Sequence, residues 1–164
     1  MSATFVQPTS DVMVAVINPL LGSVVETFNT MLGSKARRGA LELRGIDAEP
    51  YEISALIALS GGTKGVICLS FDRLTALEIG ARLLGGSNWK LTPAVLDAVG
   101  EIANVVAGSA KSKLEMGLNM GLPAIVRREN FCIRFPSGSD PMRLHFDSDI
   151  GPFFVDFGFV VSGL

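Results

Sequence analysis

Residues 52–71 read EISALIALSGGTKGVICLSF, and how this stretch folds back on itself decides which kind of fold the chain builds. Aliphatic and β-branched residues fill both ends, as in strands, while GGTKG between them supplies turn chemistry. The reading is a β-hairpin. GGTKG has neither the spacing of a phosphate-cradling loop nor its strand-to-helix setting, so the turn is the better reading. GALELRG, 39–45, alternates with period two just before the hairpin. Four more strand candidates follow Gly121, namely PAIVRR, NFCIRF, MRLHF and FFVDFGFVV, divided by turn signals. Consecutive strands with short connections imply an antiparallel sheet and an α+β fold.

The remaining segments are helical. Val12, Val16, Leu20, Val24, Phe28 and Met31 recur by threes and fours between Ser10 and Leu32, with Ser10 as a suitable N-cap and Gly33 as a stop. Pro19 lacks an amide donor, so it should bend this helix or set its start near Asn18. DRLTALEIGARLLGG, 72–86, is a short helix capped by Asp72 and ended by Gly85 and Gly86. A second long helix opens with Thr92 as N-cap and Pro93 at the first helical position. The order is helix, three strands, short helix, long helix, four strands, and each long helix opens a half of the chain. One domain is expected over 1–164.

The chain has 164 residues, of which 48% are hydrophobic, enough for one substantial core. A net charge of −2 and a pI near 5.4 leave no basic excess to neutralise phosphates, which argues against a nucleic-acid partner. The mean hydropathy of +0.42 raises a membrane reading. However, VMVAVINPLLGSVV is interrupted by Asn18 and Pro19, and IGPFFVDFGFVV is short and carries Asp156, so neither run spans a bilayer. Met1–Pro8 has no basic and apolar leader pattern, and a cytoplasmic protein is expected. Cys68 and Cys132 lie in apolar, strand-like runs without metal-ligand spacing and read as reduced core residues. His145 reads as a strand-face residue.

The stretch LDAVGEIANVVAGSAKSK, 96–113, carries the chemistry. At about 100° per residue, Asp97, Glu101, Asn104 and Gly108 fall within an arc of roughly 60°. Val95, Val99, Ile102, Ala103, Val106, Ala110 and Leu114 gather opposite, with Leu96 and Ala107 at the margin, so the polar stripe should face outward. Its members oppose the helix locally: two like charges one turn apart cost about 0.2–0.5 kcal/mol, and Gly100 and Gly108 about 1 kcal/mol each. One reading is a solvated polar face whose glycines admit a neighbouring helix. The other is a docking and chemical site, because functional sites are where local rules are broken without local gain.

A single His and no nucleophile elbow exclude a serine triad. Asp97 and Glu101 supply only two ligands for Mg²⁺, which is the lesser alternative. A carboxamide beside a carboxylate suits different chemistry. It can both donate to and accept from a water and hold it in line with phosphorus, while the carboxylate pairs with a partner's lysine. An activated acyl phosphate is the substrate such positioning fits.

DAVGEIANVVAGSAK, with its acid, Glu-x-x-Asn and glycine, resembles the active-site helix of the CheX, CheC and FliY family of chemotaxis phosphatases, and CheX-like members above all. INPLLGSVVETFNTMLG, ALIALSGGTKGVICLSF, LTALEIGARLLGG and IGPFFVDF are similar to CheX-like proteins in order and spacing, so the resemblance covers nearly the whole chain. It implies two long helices on an antiparallel sheet, with helix and strands repeated in two halves, and a homodimer whose sheet continues across the interface. The implied activity is hydrolysis of the phosphoaspartate of a CheY-like response regulator. Asn104 would orient the water and Glu101 would pair with the regulator's lysine, while Asp97, Gly100 and Gly108 give support and clearance. Mg²⁺ would belong to the regulator, and the chain would need no cofactor of its own. A noncatalytic docking module or flagellar-switch-like component using the same face is the alternative. Glu26, Asn29 and Gly33 repeat the spacing of Glu101, Asn104 and Gly108, but Gly22 stands where the leading acid would be, and one site per chain is expected.

Overall fold

A computed structural model describes residues 11–87, 90–114, 118–130 and 132–161. The hairpin is present: β2 (Ile53–Gly61) and β3 (Thr63–Phe71) pair antiparallel from Ile53↔Phe71 to Leu59↔Gly65. Before them come α1 (Asp11–Leu32) and β1 (Ala36–Leu43), and after them α2 (Arg73–Leu84), α3 (Pro93–Lys113), β4 (Leu118–Met120), β5 (Ala124–Arg127), β6 (Met142–Ser148) and β7 (Phe153–Val161). The sheet runs β1-β6-β7-β3-β2-β4, and β5 also pairs with β2. Every pairing is antiparallel. The fold is α+β, with three helices on an antiparallel sheet.

This strand order carries an internal two-fold relation. Exchanging β1 with β4 and β5, β2 with β6, and β3 with β7 turns the sequence of neighbours into its own reverse. The halves meet where β3 lies against β7, from Thr63↔Val161 to Phe71↔Phe153. Each half also lends its first strand to the other: β1 pairs with β6, and β4 and β5 pair with β2. Under this relation α1 and α3 are counterparts.

Alternate residues of the central strands form one core face: Ile53, Ala55 and Ile57 on β2, Ile67, Leu69 and Phe71 on β3, Leu144 and Phe146 on β6, Phe153, Val155 and Phe157 on β7. The helices cover it. Phe28 of α1 stacks on Phe153 at 4.5 Å between centroids, and α3 packs against both α1 and α2. Gly80 lets α2 approach α3 closely, since a Cβ there would meet Val95 Cγ2 at 2.9 Å. Asp72 caps α2 by accepting from the Thr75 amide, and the chain leaves this helix through Gly85 at φ 77°.

Three local expectations need correction or placement, and one short strand was not expected. Helix α1 does not begin at Asn18; it runs through Pro19, because Val16 and Ile17 in the preceding turn are buried and offset a proline cost of about 3 kcal/mol. Ser10, the expected cap, lies outside the described residues. Where it is described, NFCIRF does not form the expected strand: 132–136 is irregular, and β6 already has β1 and β7 as neighbours. A short strand, Leu118–Met120, pairs with β2 instead and is too brief to show a period.

Phe135 of that irregular segment covers the sheet face away from the helices, over Gly158, where a Cβ would come within 2.7 Å of the ring. Beneath this cover Asp156 is fully buried between two arginines, at 2.8 Å from Arg44 Nε and 2.7 Å from Arg143 Nε. Arg143 also stacks over Phe154 at 3.7 Å and donates to the Glu49 carbonyl, and Arg44 donates to the Ala48 carbonyl. The cluster fastens the loop after β1 to the sheet. Asp156→Ala leaves two guanidinium groups without their carboxylate and is expected to cost about 3–5 kcal/mol in urea unfolding; a loss below 1 kcal/mol would show that the cluster holds nothing.

Candidate functional site

The side of α3 facing the core consists of Val95, Ala98, Val99, Ile102, Ala103, Val106, Ala107 and Ala110, all buried. Their burial fixes the rotation of the helix, so Asp97, Glu101, Asn104 and Gly108 are exposed in one line, with Gly100 half-buried beside them. The helix start is set as expected, with Thr92 Oγ1 accepting from the Val95 amide at 3.3 Å and Pro93 at the first position. Lys111 and Lys113 in the last turn complement its dipole.

Glu101 and Asn104 are one turn apart, a separation that places Cβ atoms about 5–6 Å from each other. Among the described residues no cation lies within ion-pair distance of Asp97 or Glu101, and the Asn104 side chain makes no hydrogen bond. All three groups therefore have unspent bonding capacity pointing outward. Gly108 has open space where a Cβ would stand, whereas at Gly100 the nearest neighbour is the Ile125 side chain of β5, at 3.5 Å. Ile125 forms a flank of the stripe that α3 alone does not reveal, because it comes from a strand 25 residues away in the chain.

The stripe lies on the exposed face of a helix, a setting unlike the concave, enclosed sites that small molecules occupy. Among the described residues no three His, Cys, Asp or Glu side chains gather as a metal cluster. An open groove of about 600 Å³ lies instead along α1, lined by Asn18, Leu21, Gly22, Val25, Glu26, Asn29 and Lys35. Glu26 differs from Glu101 in being occupied, since Lys113 Nζ lies 3.1 Å from its Oε2.

The other candidates separate from the stripe. His145 Nε2 is 2.7 Å from Glu42 Oε1 and its ring meets Phe154, which places it on the sheet face away from the helices. Cys68 is buried and its thiol is pushed up to about 12, chiefly by loss of solvation and further by the nearby Asp156 charge, against a lowering hydrogen bond with Ser54. Cys132 is exposed, not a core residue, because the segment holding it is irregular.

The family model for the chemotaxis phosphatase CheX matches residues 53–147, which include the stripe. The CheY-P phosphatase CheX of Thermotoga maritima is 33% identical over 101 residues, an alignment spanning 61% of this chain and 65% of that protein. The CheC-like superfamily protein from Shewanella sp. PV-4 superimposes with a TM-score of 0.81 and 29% identity, over 90% of this chain and 98% of that one. In the CheX-CheY-BeF3-Mg²⁺ complex from Borrelia burgdorferi, the corresponding values are 0.74 and 22%, over 88% and 97%.

Two measurements check these assignments. Gly108→Ala should raise stability by about 1 kcal/mol, since the added methyl meets nothing and the helix gains propensity; a loss would mean that the glycine is structural. One thiol per chain, that of Cys132, should react with a disulfide reagent at pH 8 in the native protein and two after unfolding. Equal reaction of both in the native state would contradict the burial of Cys68.

Proposed function

The chain belongs to the CheX family of chemotaxis phosphatases, and we propose that it accelerates hydrolysis of the phosphoaspartate of a CheY-like response regulator in the cytoplasm. The observation that carries this reading is the pair Glu101 and Asn104, exposed one turn apart on α3 within the matched segment and without a side-chain partner among the described residues. The name of the Thermotoga relative and the CheY present in the Borrelia complex support the choice of partner.

In the proposed reaction the regulator docks on the α3 stripe and its active-site lysine pairs with the Glu101 carboxylate. Asn104 accepts from and donates to one water, aligning its oxygen with phosphorus. The oxygen attacks, the bond from phosphorus to the acyl oxygen breaks, inorganic phosphate leaves, and the regulator's aspartate is restored as a carboxylate. An acyl phosphate already has a good leaving group, so positioning suffices without a strong base on this chain. Asp97 sits at the edge of the docking face, Gly108 keeps the helix low enough for the partner's backbone to approach, and Gly100 supports the face by admitting Ile125 beside α3. The magnesium ion arrives with the regulator.

The two residues divide their effects. Asn104→Ala should lower the maximal rate by about 100-fold or more while leaving the half-saturating regulator concentration nearly unchanged. Glu101→Ala should raise that concentration, with the larger effect at low ionic strength. Radiolabelled phosphoryl decay measured against regulator concentration checks both. Unchanged decay for Asn104→Ala would remove the proposed role, and a regulator that binds yet decays at its own rate with the wild-type chain would favour a docking module.

A homodimer is also proposed, because β1 ends the sheet and offers a backbone edge with Leu43 and Ile46 exposed beside it. Sedimentation at micromolar concentration should give twice the chain mass, and a monomer would set this aside.

A further inference from the structure

The sheet edge beside α3 is interrupted at one place. β4 and β5 both pair with β2, at Leu59↔Met120 and at Leu56↔Ala124, and between them residues 121–123 leave the ladder. Leu122 stands in this break and is 86% exposed, a value that only Ile46 exceeds among the described large apolar residues. Single exposed leucines are common and need no explanation. This one is set apart by how it is held. The Gly121 amide donates to the Ala58 carbonyl at 2.9 Å, and Pro123 restricts both its own φ and the backbone of Leu122 before it. The backbone is fixed where the side chain meets solvent, so little freedom is left to lose when a partner covers it.

The strand sets the position of Leu122 relative to the stripe. At one end of β5, Arg127 Nη2 donates to the Leu91 carbonyl at 3.2 Å, just before α3 begins. Ile125, closer to the break, lies 3.5 Å from where a Cβ would project at Gly100. Moving back along β5 therefore moves forward along α3. From Ile125 to Leu122 the extended chain covers about 10 Å, equal to about two turns of helix. Leu122 is thereby brought level with Asn104 and Gly108, on the flank nearest Gly100. GLPAIV, 121–126, holds no ionisable side chain, whereas the stripe carries Asp97 and Glu101. One continuous face thus has an acidic half on the helix and an uncharged, apolar half on the sheet edge.

We propose that Leu122 is an apolar anchor of the regulator-docking face: an apolar patch bordering the regulator's phosphorylated aspartate covers Leu122 and the rim of Ile125 while the stripe engages the reacting groups. This rests on the reading of the α3 stripe given above. Leu122 touches no reacting group, so it is a positioning residue. Burying its side chain contributes equally before and during the reaction, which sets affinity and leaves the maximal rate alone. Its contribution is also separable from that of Glu101, because salt screens an exposed charge pair and not the burial of an uncharged side chain.

The experiment measures phosphoryl decay of a CheY-type regulator against regulator concentration, at low and at high sodium chloride. The chains compared are wild type, Leu122→Ala, Leu122→Met and Leu74→Ala, the last altering an exposed leucine on α2. Leu122→Ala should raise the half-saturating concentration about tenfold, the scale of burying one aliphatic side chain, by the same factor at both salt levels and with the maximal rate kept within about twofold. Leu122→Met should stay near wild type, and Leu74→Ala should match it. An active wild type whose half-saturating concentration is unmoved in Leu122→Ala, or moves equally in Leu74→Ala, overturns this inference alone. So does a Leu122→Ala chain that melts early, or one that sediments at half the mass of wild type, which would assign the residue to the fold or to an interface between copies. A wild type without activity overturns the reading of α3 and this inference with it.

Discussion

The pairing of β3 with β7 is the constraint from which the position of the site follows. It joins the halves of the chain from Thr63↔Val161 to Phe71↔Phe153 and aligns their apolar residues, so Ile67, Leu69 and Phe71 share a face with Phe153, Val155 and Phe157. A slip of one residue would turn either set to the opposite side. With that face fixed, α1 and α3 must both lie on it, and the buried side of α3 sets its rotation. The outward aim of Glu101 and Asn104 is therefore a consequence of sheet register, not of any bond that those two side chains make.

The same constraint leaves a second sheet face to be covered, and the chain covers it with loops. Tyr51 packs on Phe154 at 4.6 Å, Arg44 lies over Phe135, and Asp156 is buried between Arg44 and Arg143. A buried ion cluster is weak evidence of net stability, but it fixes which loop lies where. The polar side chains of the α3 stripe, by contrast, make no ion pair or side-chain hydrogen bond among the described residues. Its like charges and glycines leave the helix less stable than alanine would, and the apolar surface below compensates for that.

Local features of the chain were legible in the sequence, and features made by distant partners were not. The β2–β3 hairpin, the Asp72 and Thr92 caps, Pro93 and the two faces of α3 each depend on neighbours within a few residues, and the structure places them as the pattern indicates. The crossing of β1 to β6, the short strand at Leu118–Met120, the exposure of Cys132 and the route of α1 through Pro19 depend on what the rest of the sheet and core accept. The stripe was readable as outward-facing, but its flank at Ile125 was not, nor was the ion pair between Glu26 and Lys113, which spans 87 positions. Two-fold order in the sheet was foreshadowed by a long helix opening each half and by the spacing that Glu26, Asn29 and Gly33 share with Glu101, Asn104 and Gly108.

The claim that the α3 stripe is where a regulator engages is tested most directly by amide chemical shifts of the labelled protein, recorded while a beryllofluoride-loaded CheY-type regulator is titrated in. Engagement at the stripe predicts that the largest changes gather between Asp97 and Gly108 and extend to Ile125, with the sheet face around Phe154 and His145 unchanged. Changes centred on that opposite face, with Glu101 and Asn104 silent, would contradict it.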